Sequence, residues 1–178
     1  MSIIYHQNEI ANWYDLLLNA QLQTDISLDQ EIEVYLAFMI KKSIRDLSIV
    51  DTIIAINYLE ALKHTHSRRM GRLRTTAEYG LLLSTLFPKV ARKRNISDSY
   101  YADMSQVAYS DLIDVCVGYS PELVELYKKV LDNFNDILSV MLAFRSLGNH
   151  VNDNKIVDSC SKLSFDDCAD VNLKTLLN

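Results

Sequence analysis

The segment HTHSRRMGRLR, residues 64–74, carries four arginines and no carboxylate within a chain that is acidic overall. Planar guanidinium groups grip carboxylate or phosphate oxygens two at a time, so such a cluster suits an ion pair or an anionic ligand. Arg74 and Glu78 are four residues apart, on one helical face, and the turn that follows is the wholly apolar Leu81-Leu82-Leu83. A helix that enters the core there carries the Glu78 carboxylate to the edge of the interior, where an unpaired charge is costly. Arg72, Arg74 and Glu78 are therefore expected to form a structural ion pair, with Arg72 or Arg74 as the cation. Arg68 and Arg69 are expected to stay exposed in the first turn of the same helix. Positive charge at a helix start opposes the helix dipole, and this conflict marks Arg68, Arg69 and Arg72 as a candidate anion-binding group for a small anionic or phosphate-bearing ligand. A solvated basic face, or pairing with acidic helices, is the competing explanation. A third use would make Glu78 a general acid or base in a tyrosine-lined pocket.

No other constellation reaches a catalytic pattern. The histidines are His6, His64, His66 and His150, and Glu60 and His64 stand four apart where the Glu-x-x-His metal motif needs three. No metal site and no cofactor are expected. The sequence contains no Gly-rich phosphate loop, no G-x-S-x-G and no H-E-x-x-H, so no residue is assigned a catalytic role. Cys116, Cys160 and Cys168 are odd in number and lack paired CxxC spacing, which signals neither a disulfide framework nor a zinc site. Between Val115 and Val117, Cys116 reads as a small core filler.

Four glycines and two prolines in 178 residues are too few turn residues for a many-stranded fold, and 49% apolar composition is ample for one core. The expectation is an all-α protein: a single bundle of about six helices over residues 1–148, followed by a polar tail over 149–178. Apolar spacing with start and stop signals predicts helices near 8–21, 27–46, 48–63, 67–87, 97–118 and 120–148. Ser27 and Gln30 form a capping box for the second helix. Ile49, Ile53, Ile56 and Leu59 or Leu62 form the core-facing stripe of the third. In the fourth, YGLLLSTLF has no charge on any face, which makes it a central helix that Pro88 ends. Gly118 suits a left-handed cap, Ser120-Pro121 opens the last helix, and Gly148 stops it.

Residues 76–112, TAEYGLLLSTLFPKVARKRNISDSYYADMSQVAYSDL, carry a pattern of an acid, an apolar run, Phe-Pro, basic residues, Tyr-Tyr and Ala-Tyr. The pattern resembles an uncharacterised bacterial all-helical family, through Glu78, Ser84, Phe87, Pro88, Arg92, Tyr100, Tyr101, Met104, Ala108 and Tyr109. Departures from it are Ala77, Thr85 and Ser105 where the family has glycine, Glu78 where it has aspartate, and Lys89 where it has glutamate. The resemblance implies no activity. It implies that the acid of the fourth helix, the Phe-Pro break and the Tyr-Tyr helix start come together.

With 23 acidic against 18 basic residues the net charge is −5, so binding to nucleic acid or to an anionic membrane surface is not expected. The second basic run, PKVARKRN, follows the fourth helix whereas the first begins it. A helix of ~20 residues is ~30 Å long, so the two runs make separate patches. No stretch approaches the ~20 apolar residues of a membrane span, and the amino terminus lacks the basic and then apolar order of a signal peptide. A cytoplasmic location is expected. Ten tyrosines and one tryptophan supply contact area with a polar tip. The expectation is a non-enzymatic interaction or regulatory module whose partner is another protein or a second copy of itself. The alternatives are a binding protein for a small anion at residues 68–74, and an enzyme that uses Glu78.

Overall fold

The computed structural model describes residues 3–45, 47–97 and 99–151, which form eight α-helices, one 3-10 turn and no strand. In chain order these are α1 (Ile3–Thr24), α2 (Gln30–Arg45), the 3-10 turn (Leu47–Val50), α3 (Ile54–Lys63), α4 (His66–Thr85), α5 (Pro88–Lys93), α6 (Tyr100–Cys116), α7 (Pro121–Asp132) and α8 (Phe134–Val151). The protein is all-α, with two helices more than the six expected.

The first addition is α5. Pro88 does end α4, but it also serves as the first residue of a new helix, where its missing N–H would have no partner in any case. Arg92 and Lys93 in its last turn suit the dipole. Asn95, at φ 54°, then closes it in a left-handed cap, with the Ile96 N–H donating to the Ala91 carbonyl at 3.0 Å. The second addition comes from a break at Asn133, whose amide nitrogen donates to the Lys129 carbonyl at 2.8 Å and so competes with the continuing helix. The buried stripe runs on across this break through Tyr127, Val130, Phe134, Ile137, Met141 and Phe144. Its unbroken spacing is why the sequence reads as one helix there. Gly148 does not stop α8, which continues to Val151; the predicted tail from residue 152 lies outside the described residues.

Two other starts differ from expectation. The second helix begins at Gln30, without the Ser27 cap, because the Gln21 side chain of α1 accepts the Leu28 N–H at 2.6 Å and holds the preceding segment extended. Gln21 also donates to Glu33 of α2 at 2.8 Å, and the Tyr14 hydroxyl donates to the other Glu33 oxygen. Likewise, α3 begins after the 3-10 turn, at Ile54.

The centre of the bundle is α4, in which every residue from Thr76 to Leu83 is buried. Its most extensive packing is against α6. The two backbones meet at Gly80, where an added Cβ would lie 2.7 Å from the Tyr101 carbonyl oxygen and 2.8 Å from the Ser105 Cβ. Ser105 then donates to the Ala77 carbonyl at 2.7 Å. A close crossing is thus built from Gly80 and a serine. Around this pair, α3 packs on α4, α7 on α6, and α1 on α8 through Trp13 and Phe144.

Candidate functional site

One polar cluster of the interior is centred on Glu78, whose side chain is only 3% exposed. Arg74, one turn earlier, donates from Nε to Oε1 at 2.7 Å. The Tyr35 hydroxyl of α2 donates to the same oxygen at 3.1 Å, and Lys42 of α2 reaches Oε2 at 3.5 Å. Tyr109 of α6 lies 2.9 Å from the Tyr35 hydroxyl. The Tyr127 ring of α7 packs against Tyr109 and Tyr35 at 5.9 and 6.2 Å, and the Arg74 guanidinium lies over the Tyr35 ring at 5.9 Å. Burial opposes the charge on Arg74, but the hydrogen bond and the charge of Glu78 outweigh it and raise its pKa. Burial is the first cause that raises Tyr35 well above its ordinary pKa, followed by the neighbouring Tyr109 and Glu78, and burial raises Tyr109 as well. With both carboxylate oxygens occupied, a substrate would have to displace Arg74, Lys42 or Tyr35 to reach Glu78.

Arg72 takes no part in this cluster. It is exposed and lies towards Glu60, which is held below its ordinary pKa first by Lys63 at 2.9 Å and to a lesser extent by Arg72. Arg68 is exposed as well, but Arg69 is half-buried, and its Nε has no hydrogen-bond partner among the described residues. The nearby Tyr58 hydroxyl donates to Asp111 of α6 at 2.7 Å, a bond that, with burial, raises the Tyr58 pKa to about 12.

The third helix overturns the expected stripe. Ile49 of that stripe is buried, in the 3-10 turn, but within α3 Ile54, Tyr58 and Ala61 face inward, whereas Ile53, Ile56, Leu59 and Leu62 are 41–56% exposed. The inward set contains the smaller or more polar side chains Ala61 and Tyr58, while the exposed set, spread over the outer half of the helix, contains only large apolar ones, which is why apolar content points to the wrong face.

No family model, curated protein or solved structure matches the chain.

Among the residues that carry the resemblance to the uncharacterised family, Glu78 and Tyr109 belong to the central cluster, while Ser84, Pro88, Arg92 and Tyr101 line a cavity between α4, α5, α6 and α8. Phe87 and Ala108 are core residues, Met104 packs against that core, and the Tyr100 ring meets Tyr101 edge-on at 5.2 Å. Tyr35, Lys42 and Tyr127 were not anticipated. Tyr35 did carry a signal, since it shares the buried stripe of α2 with Ile32 and Met39, where a hydroxyl needs a partner. Lys42 carried none.

Proposed function

We propose that the chain is a non-enzymatic helical interaction module that associates with a second copy of itself through the outer face of α3. The observation that supports this is the exposed apolar group Ile56, Leu59 and Leu62 on one short helix, with exposed Ile53 just before it. Large apolar side chains clustered on a surface favour burial against a partner. A two-fold axis between Asn57 and Tyr58 would run the two α3 helices antiparallel and set Ile56 against Leu59 of the other copy. The same arrangement would bring exposed Asp51 of one copy towards exposed Lys63 of the other, whose ammonium also pairs with Glu60 of its own helix at 2.9 Å. The Glu78 cluster serves the fold in this reading, joining α2, α4, α6 and α7 with its oxygens already occupied. No helix among the described residues is long and apolar enough to cross a membrane. A cytoplasmic setting belongs to the proposal and rests on the cysteine spacing.

Analytical ultracentrifugation over a wide concentration range tests the reading. The wild type should dimerise, and Leu59→Glu should be monomeric with unchanged helical circular dichroism; a wild type that stays monomeric throughout would remove it.

One observation favours a second reading, an anionic ligand on the first turns of α4. The Arg68 and Arg72 side chains are exposed, one turn apart, and make no hydrogen bond or ion pair with any described residue. A thermal-shift panel of nucleotides and phosphorylated metabolites tests it. A rise in melting temperature that is lost in Arg68→Glu/Arg72→Glu and weakens with salt supports this reading, and the absence of any rise removes it.

A further inference from the structure

A cavity of about 490 Å³ opens between the end of α4, α5, α6 and α8, and shares no residue with the outer face of α3 or the Glu78 cluster. Its volume lies within the range of about 300–1,000 Å³ usual for small-molecule sites. Leu83, Tyr101, Leu138 and Leu142 give it apolar walls. Into this apolar setting the fold brings two guanidinium groups, Arg92 from α5 and Arg145 from α8, and one carboxylate, Asp103 from α6.

The two arginines are held differently. Arg145 donates from Nη1 to the Thr85 carbonyl at 3.0 Å, which satisfies a carbonyl at the end of α4 and fixes the plane of the guanidinium while leaving other N–H groups for a ligand. The Arg92 side chain is exposed and makes no hydrogen bond or ion pair with any described residue. Arg145 thus caps α4 with one N–H, while Arg92 in the last turn of α5 and Asp103 in the first turn of α6 suit their helix dipoles without engaging either side chain in a hydrogen bond with a described residue.

We propose that this cavity binds a small organic acid with an apolar body and a hydrogen-bond donor beside its carboxylate, the class of the apolar 2-amino and 2-hydroxy acids. The ligand carboxylate is received by Arg92 and Arg145, for which forked N–H donors are the suited chemistry. Asp103, an acceptor when ionised, takes the adjacent ammonium or hydroxyl. Leu138 and Leu142 cover the apolar body. Charge supports a monocarboxylate over a phosphate: two cations and one carboxylate leave a single positive charge on the walls, which one ligand carboxylate neutralises and a phosphate dianion exceeds.

The test is a calorimetric titration of the full chain with L-leucine and 2-hydroxyisocaproate. The controls share their skeleton: 4-methylpentanoate lacks the donor, isopentylamine lacks the carboxylate, and isopentyl phosphate replaces it. Either or both acids should bind, 4-methylpentanoate about tenfold more weakly, and isopentylamine not at all. Arg92→Gln, at an exposed position without a partner among the described residues, should weaken binding by about tenfold or more with no change in melting temperature. Leu142→Trp should fill the cavity and abolish binding. Arg145→Gln also uncaps Thr85, so it is not the deciding variant. Failure of both acids to bind at millimolar concentration, equal binding of the amine, tighter binding of the phosphate, or binding unchanged in Arg92→Gln and Leu142→Trp would each overturn the proposal.

Discussion

At the scale of the residue, Glu78 is the group on which most depends, because it is a carboxyl group paired with Arg74 and with almost no access to water. Glu78→Gln keeps the shape but weakens the bond from Arg74 and removes the attraction of Lys42, and should cost on the order of 1–3 kcal/mol in a urea melt. Glu78→Leu should cost more. Arg74 and Lys42 can turn to water, being half or more exposed, so the extra loss comes from Tyr35 and Tyr109, whose hydroxyls would share one remaining bond in an apolar setting. Arg68→Ala, on the open surface, should change stability by no more than about 0.5 kcal/mol. The Arg74–Glu78 half of the cluster was legible in the sequence because an i,i+4 pair is set by the local helix alone. Tyr35 and Lys42 reach Glu78 across 43 and 36 residues of chain, a juxtaposition that depends on how α2 lies on α4 and that no local spacing encodes.

At the scale of the element, the two glycines of α4 make opposite predictions from one sequence rule. Gly71 is exposed, and a Cβ added there would meet nothing within 4 Å, so Gly71→Ala should stabilise the protein by about 0.5–1 kcal/mol through helix propensity. Gly80→Ala gains the same propensity but drives a methyl into the Tyr101 carbonyl and the Ser105 Cβ, and overpacking of this kind costs about 1–3 kcal/mol. Paired urea melts decide: the two substitutions must move the midpoint in opposite directions, and a stabilising Gly80→Ala would mean that α4 and α6 do not cross so closely. Sequence identified the helical class and the burial of the second half of α4, since both rest on composition and on an uninterrupted apolar turn. It did not separate α7 from α8, because the stripe crosses Asn133 without a change of phase. Nor did it orient α3, which is apolar on two faces, so that the choice between them belongs to α4 and not to α3 itself.

At the scale of the whole molecule, the tyrosines make stability depend on alkaline pH. The Tyr58 pKa is raised from 10.0 to about 12, first by its hydrogen bond to Asp111, and Tyr35 and Tyr109 are raised above 10.0, first by burial. A folded pKa above the unfolded one means that the native state holds more protons than the unfolded chain once the latter begins to ionise. The stabilising contribution is therefore complete below about pH 10 and is lost as pH rises through the folded values. Urea midpoints measured from pH 8 to 12 should hold steady with respect to these groups and then fall above pH 10. Tyr58→Phe should flatten the part of the fall between pH 10 and 12, the window that its shift defines. Absorbance at 295 nm gives the second readout: the Tyr35 and Tyr109 contribution should appear only together with the loss of helical circular dichroism. Ionisation of all the tyrosines near pH 10 with the helices intact would show that the Tyr35–Tyr109–Glu78 cluster is open to water, and with it that α2, α4 and α6 are not joined as described.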